Sequence, residues 1–321
     1  MTSSRDHDTL HDHAHDPAAD PAARADARAD AVTHVHAHAH DPGAAASDDG
    51  GADLLDLDGE VLHGYWDSAL DLVTAVIAES GTDRTSPLRV VDLGAGTGTG
   101  ALGLARRLPA AVVVAVDVSA SSLARVDTKA KAAGLGERVR TLEADLDGGW
   151  PDLGPVDLTW ASMSLHHLAE PARSLSGLRR ITRAGGIVAI AEFDEPLRFL
   201  PDDLGTGRPG FETRVLGLLS EVHAEAVPTL GSPWSTVLDE SGWSVVDQHD
   251  MAIDERSPAH PLAGRYARGW FARLAHGLDG RLDADDERTL AALLTDDGPH
   301  ALLTRTDLHL RGVRTVTLAR A

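Results

Sequence analysis

The chain has 321 residues, of which 42% are apolar, and carries a formal net charge of −21 with no cysteine. Without cysteine there are no disulfides, thiolate metal sites or cysteine nucleophile, and an acidic chain lacking a basic run repels phosphate backbones, so no nucleic-acid partner is expected. No apolar run approaches the ~20 residues of a membrane span, and the polar N-terminus holds no apolar signal segment, so no membrane partner is expected and a cytoplasmic location is.

Residues 1–52 are rich in Ala, Asp, His, Pro and Gly, with almost no large apolar side chain. Such a segment cannot bury enough surface to offset its ordering entropy and is expected to be a disordered tail. It carries two histidine clusters, His7, His11, His13 and His15, then His34, His36, His38 and His40. Imidazoles suit zinc, copper or nickel, so a physiological metal role is one reading and a low-complexity tail that binds divalent metal only incidentally the other. No catalytic metal is expected, because a floppy tail does not fix geometry. Residues 53–87 form an N-terminal helical segment, from the spacing of Leu54, Leu55, Leu57, Val61 and Leu62 and then of residues 69–78. Residues 81–87 break the chain.

From residue 88 the pattern is strand, turn, helix, repeated. Strands are predicted at 88–93, 111–118, 139–144, 157–162 and 186–193, and helices at 99–108, 119–133 and 171–182, with Ser119 as an N-cap. Near-continuous apolar strands alternating with helices mean an α/β protein whose parallel sheet is covered on both faces. Beyond 193 the alternation lapses. Residues 197–210 read as loop, 211–226, 235–241, 258–277 and 285–294 as helices, 243–253 as a strand, and 307–318 as strands around a turn at Gly312.

The first strand runs into Asp92-Leu93-Gly94-Ala95-Gly96-Thr97-Gly98-Thr99-Gly100. Glycines let a backbone approach a ligand, and the following helix start offers free N–H groups, a device that cradles nucleotides and anions. The dinucleotide fingerprint GxGxxG needs glycine at 99, where Thr99 stands. Asp117 ends the second strand, where a carboxylate can accept from ribose hydroxyls or simply favour the helix start. Glu143-Ala144-Asp145-Leu146 closes the third strand. The fourth leads through Trp160-Ala161-Ser162-Met163-Ser164-Leu165 into His166-His167, and Arg183-Ala184-Gly185-Gly186-Ile187 precedes the fifth.

Over residues 88–195 these motifs, in this order, resemble the class I (Rossmann-like) S-adenosylmethionine-dependent methyltransferases of small-molecule type. The resemblance implies a doubly wound, mostly parallel seven-stranded sheet with helices on both faces. Residues 88–195 would be the cofactor-binding core. Residues 196–321 would supply the rest of the sheet and helical insertions around an acceptor pocket. It implies S-adenosylmethionine as cofactor, with Gly94, Ala95, Gly96 and Gly98 turning against the methionine part and Asp92 helping to hold its ammonium. Asp117 and Val118 would face the ribose, Asp145 and Leu146 the adenine, and Ala161 and Ser162 the methionine part. Ala184 stands where the family often has proline. The chain lacks the (Asp/Asn)-Pro-Pro-(Tyr/Phe) motif of amino-group DNA methyltransferases.

The implied reaction is in-line displacement of a methyl group onto an O or N atom of a small-molecule acceptor. A general base is needed only if the acceptor is protonated. His166 and His167 are the catalytic candidates, since histidine titrates near neutral pH; the other reading is a packed or capping pair. Glu192 and Asp194 either serve a polar substrate or are solvated strand-end carboxylates. Arg265, Arg268 and Arg273, with Trp270 and Phe271, make either a lid with an anion-binding stripe or an amphipathic surface helix. Tyr65 and Trp66 either close over the cofactor or pack in the core. The alternatives are an aminopropyltransferase-like enzyme, an NAD-linked oxidoreductase and a protein handling metal through its tail. The acceptor's identity and a homodimer stay open.

Overall fold

β-Branched apolar runs build the sheet. In the computed structural model, which describes residues 45–79, 87–193, 195–227, 229–257 and 260–321, the strands β1 (Arg89–Leu93), β2 (Val112–Asp117), β3 (Val139–Glu143), β4 (Val156–Ser162) and β5 (Thr182–Glu192) pair in parallel. β7 (His309–Arg320) enters antiparallel between β5 and β6 (Ser244–Arg256), giving the order β3-β2-β1-β4-β5-β7-β6. This is the doubly wound, seven-stranded, mostly parallel sheet expected. Asp194 and both histidine clusters lie outside the described residues, and so do the readings that rest on them.

Successive side chains of a strand point to opposite faces, and here both faces are dry. Val90, Leu158 and Trp160 join one core, and Val91, Leu93 and Ala161 the other. Burying a Val or Leu side chain is worth roughly 1.5–3 kcal/mol, so the central strands keep their carboxylates near their ends. Asp157, at the start of β4, accepts from Arg89 N at 2.8 Å. Asp92, Asp117 and Glu192, all buried, gather at the opposite, carboxyl end.

The helices are α1 (Ala45–Val61), α2 (His63–Glu79), α3 (Thr99–Arg107), α4 (Ala120–Ala132), α5 (Pro171–Ile181), α6 (Phe211–Ala226), α7 (Trp234–Glu240), α8 (Ala263–Gly277) and α9 (Ala284–Leu294). Ser119 caps α4 as expected, its side chain accepting from Ser122 N at 3.2 Å. None of the helices in the described residues is long and apolar enough to cross a membrane.

Three local expectations change. Helix α1 already begins at Ala45, ahead of Asp53. Strand β5 begins at Thr182, because Thr182 pairs with Val156 across a register shift before the ladder resumes at Ile187. Gly312 makes no turn: β7 runs straight through it, and Gly312 pairs with Ile253. A Cβ at Gly312 would lie 2.6 Å from Leu197 Cδ2, so glycine is there to let the 197 loop lie against the strand.

The chain leaves β1 toward β2 and β3 and returns on the other side as β4. In open α/β sheets the crevice outside the carboxyl ends at such a switch point takes the ligand.

Candidate active site

A cavity of about 700 Å³ opens at that point. Its floor is the turn after β1. Gly94 and Gly96 have φ of 62° and 50°, left-handed values that glycine adopts without strain. Space forbids a side chain as well. A Cβ would come within 2.3 Å of Ser164 Cβ at Gly94 and within 2.8 Å of Leu55 Cδ1 at Gly96. At Gly100 it would meet both Asp92 Oδ2 and Trp160 Nε1 at 2.8 Å. Asp117 ties the turn down by accepting from Gly96 N at 2.7 Å and from Ser119 N at 2.9 Å. A carboxylate offers about four acceptor positions, so Asp117 keeps acceptor capacity for the cavity it lines.

Buried polar atoms in folded proteins nearly always find partners. Yet among the described residues Asp92 Oδ2, Thr97 Oγ1 and Trp160 Nε1 are buried with none, and all three residues line the cavity. Burial pushes the Asp92 carboxyl up to about 8, and nearby Asp117 adds to the rise while a backbone hydrogen bond from Ala101 opposes it.

Of the residues predicted for the cofactor, Asp92, Gly94, Ala95, Gly96, Asp117, Val118, Asp145, Leu146 and Ser162 all line this one cavity. Gly98 and Ala161 do not. Gly98 (φ 90°) sits at the N-terminus of α3 and packs against Val126. Ala161 points to the other face of the sheet, because the strand alternation that turns Trp160 and Ser162 to the cavity turns Ala161 away.

The segment after β4 is held in an unusual shape. Met163 has a φ of 55°, the sole non-glycine residue with positive φ in the described residues; such a conformation costs on the order of 1–3 kcal/mol and persists where the surroundings fix it. Glu192 is what fixes it here. One carboxylate oxygen accepts from the N–H groups of Ser164 at 3.2 Å and Leu165 at 3.1 Å, and the other lies 2.6 Å from His166 Nδ1. Ser164 Oγ donates to Leu93 O at 2.9 Å, tying the turn to β1. Both His166 and His167 line the cavity with their rings 4.2 Å apart, His166 buried. A carboxylate only accepts, so Nδ1 is the donor in the His166–Glu192 contact.

The rest of the wall comes from the N-terminal helix and the insertions. Helix α1 lies over the glycine turn through Leu55. Asp56 pairs with Lys129, which also donates to Thr97 O at 2.9 Å. Asp58 accepts from Trp66 Nε1 at 2.9 Å and Tyr266 OH at 2.6 Å, and Arg314 of β7 grips both its oxygens. Burial alone would raise the Asp58 carboxyl, but the Arg314 charge and these hydrogen bonds hold it below the ordinary carboxylate range. Trp66 lines the cavity while Tyr65 is buried beneath Arg314, 4.8 Å from its guanidinium. Trp270 and Arg273 of α8 also face the cavity, whereas Phe271 is core and Arg268 bonds Asp296. His223 of α6 completes this side, buried and pushed down to about 4 by desolvation first and by nearby His166 second.

Sequence reasoning missed Asp58, Trp160, His223, Tyr266 and Arg314. Only Trp160 carried a local signal, as the cavity-facing neighbour of Ser162 by strand alternation. The others reach the site through tertiary folding.

Residues 90–186 match a family model described as a methyltransferase domain. The chain is 38% identical to a demethylmenaquinone methyltransferase of Thermus thermophilus over 112 residues, 35% of this chain and 50% of that protein. It is 32% identical to a 27-O-demethylrifamycin SV methyltransferase of Amycolatopsis mediterranei over 155 residues, 44% of this chain and 55% of that one. It is 37% identical to a release factor glutamine methyltransferase of Chlorobaculum tepidum over 121 residues, 37% of this chain and 41% of that one. The chain thus spans about half the length of these relatives.

Proposed function

We propose that this chain, a member of the class I S-adenosylmethionine-dependent methyltransferases, moves a methyl group onto an oxygen or nitrogen of a small molecule in the cavity at β1 and β4. The observation that carries this reading is the set of buried, unpartnered polar atoms Asp92 Oδ2, Thr97 Oγ1 and Trp160 Nε1 around a glycine cradle. Such an atom costs about 1–3 kcal/mol when left unsatisfied. A carboxyl, a hydroxyl and an indole N–H suit the ammonium and carboxylate of an amino acid. Asp92, Gly94, Ala95, Gly96 and Ser162 would hold the methionine part of the cofactor, Asp117 and Val118 the ribose, and Asp145 and Leu146 the adenine.

S-Adenosylmethionine, when bound, supplies a methyl group already activated on a sulfonium. The chain's own part is to bind, to orient, to exclude water and to take up a proton. Leu55 of α1 lies over the glycine turn at Gly96. Glu192 holds the His166 ring by Nδ1, and His166 is the candidate base for the acceptor's proton. His167 lies against His166, its ring tilted by 46°, and supports its position.

The names of the relatives include a release factor glutamine, so the small-molecule reading rests on the cavity and not on them. Its volume falls in the range of about 300–1,000 Å³ typical of small-ligand sites, and α1, α6 and α8 all contribute to its wall. Thr99 in place of a third glycine, and the matched domain, leave the NAD-linked and aminopropyl readings without support.

Calorimetric titration with S-adenosylhomocysteine tests the reading. The intact chain should bind it, and Asp117→Ala, checked for folding by circular dichroism, should bind at least about tenfold more weakly, since two or more hydrogen bonds go with the carboxylate. No binding by the intact chain would contradict the family's cofactor chemistry here.

A further inference from the structure

Aromatic side chains are scarce in this chain, with six Trp, two Tyr and four Phe, yet Trp66, Trp160, Phe193, Tyr266 and Trp270 all line the active-site cavity. Trp160 belongs to the cofactor cradle through its unpartnered Nε1. The other four are anchored on the β5–β7 side of the sheet. Phe193 directly follows β5. Trp66 Nε1 and Tyr266 OH donate to the two oxygens of Asp58, and Arg314 of β7 holds that carboxylate. Trp270 packs with its ring centre 5.1 Å from that of Phe199, whose carbonyl accepts from His309 N of β7 at 2.9 Å. Asp145 and Leu146, which would face the adenine, follow β3. The order β3-β2-β1-β4-β5 puts four strand spacings of about 4.8 Å between β3 and β5, roughly 19 Å. The aromatic wall therefore belongs to the acceptor and not to the adenine.

Resting on the function proposed above, we propose that the acceptor carries a flat aromatic ring that lies against Trp66, Phe193 and Trp270, with Trp270 as a specificity-determining residue. All three side chains are half-buried, so part of each ring is open to the cavity. Asp58 engages the indole N–H of Trp66, so this residue meets the acceptor with its ring alone. Rings fixed from behind lose little freedom when a ligand arrives. Aromatic pairs in offset or edge-to-face contact gain beyond the area they bury, whereas a saturated body of the same size gains from area alone. Phe193 also meets His166 edge-on, with ring centres 6.0 Å apart. An acceptor ring against Phe193 thus has the candidate base beside it.

The test compares 2-naphthol with its saturated counterpart decahydro-2-naphthol at neutral pH, where both are uncharged. A third probe, cyclohexyltrimethylammonium, is included because aromatic rings also attract alkylammonium cations. Each is measured by equilibrium dialysis against the full chain saturated with S-adenosylhomocysteine. 2-Naphthol should bind at least about fivefold more tightly than either saturated probe. Trp270→Leu keeps an apolar side chain but no ring, and should weaken 2-naphthol binding at least about threefold. It should leave decahydro-2-naphthol unchanged, which a collapsed pocket would not. Trp270→Phe restores a ring and should recover most of the loss. The preference of the intact chain decides the matter if the leucine variant does not fold.

A smaller preference for 2-naphthol over the saturated alcohol would mean that the rings act as plain apolar wall, and would overturn the proposal. Tighter binding of the cation would make them a cation box and overturn it too. So would no binding of any probe to a chain that binds S-adenosylhomocysteine, a smaller loss in Trp270→Leu, or a Trp270→Phe variant as weak as Trp270→Leu. Failure to bind S-adenosylhomocysteine itself would instead count against the cofactor reading, so the two failures are distinct.

Discussion

Around Gly94 and Asp117 the cavity wall is backbone. The turn is held by left-handed glycines and by one carboxylate accepting from two N–H groups, and every element of it lies within thirty residues of chain. Around Asp58 and His223 the wall is side chain. Helix α1, the first turn of α2, α6, α8 and β7 each contribute a residue, and the Asp58–Arg314 pair spans a separation of 256 residues. The first half is a local device that any chain with the right glycines can make. The second exists only when distant elements have docked.

Breaking the side-chain half should have the larger effect on stability. Arg314 and Asp58 are nearly inaccessible, with 5% and 14% of their side-chain surfaces exposed. Removing one partner leaves an uncompensated buried charge, so Arg314→Ala should lose about 3–5 kcal/mol in urea unfolding. The double change Arg314→Met with Asp58→Asn should lose clearly less. A loss below about 1 kcal/mol in the single variant would mean that the pair behaves like a surface salt bridge and does not hold α1 to β7.

Breaking the backbone half should cost less stability and more binding. Gly94→Ala forces a Cβ into a left-handed residue, worth about 1–2 kcal/mol, and pushes on Ser164. S-Adenosylhomocysteine affinity should fall at least about tenfold in the same variant. Unchanged affinity would show that the cradle tolerates displacement and would erase the contrast between the halves.

The same contrast decides what was legible in the sequence. The spacing of Asp92, Gly94 and Gly96, the strand-end Asp117 and the Asp145-Leu146 pair could be read because each reflects a local demand, a positive φ or the end of a buried strand. Strand existence followed from the apolar runs for the same reason. Other features had local causes that spacing alone does not expose. Ala161 lies on the opposite face of the sheet from Trp160 and Ser162 by strand alternation. Gly312 was read as a turn, when glycine is needed there only because Leu197 crosses the strand. His223, Tyr266 and Arg314 had no local signature, since a lone histidine, tyrosine or arginine on an amphipathic element reads as surface or core until its tertiary neighbours are known. Glu192 was visible as a strand-end carboxylate, but its part in shaping the Met163 turn was not.

The central claim, that Asp92 awaits the cofactor's ammonium, has a proton signature. Its carboxyl is raised from an ordinary value of 3.8 to about 8. The folded, ligand-free chain therefore keeps a proton there that the unfolded chain has already released, and its stability should fall as pH rises from about 4 and level off above about 8. An ammonium group beside Asp92 favours the ionised form, so binding at pH 7 should expel that proton. The decisive measurement is calorimetry of S-adenosylhomocysteine binding at pH 7 in two buffers of different ionisation enthalpy. The account predicts release of about one proton by the intact chain, and none with weaker binding by Asp92→Asn. Binding without proton release, or equal release by Asp92→Asn, would contradict it.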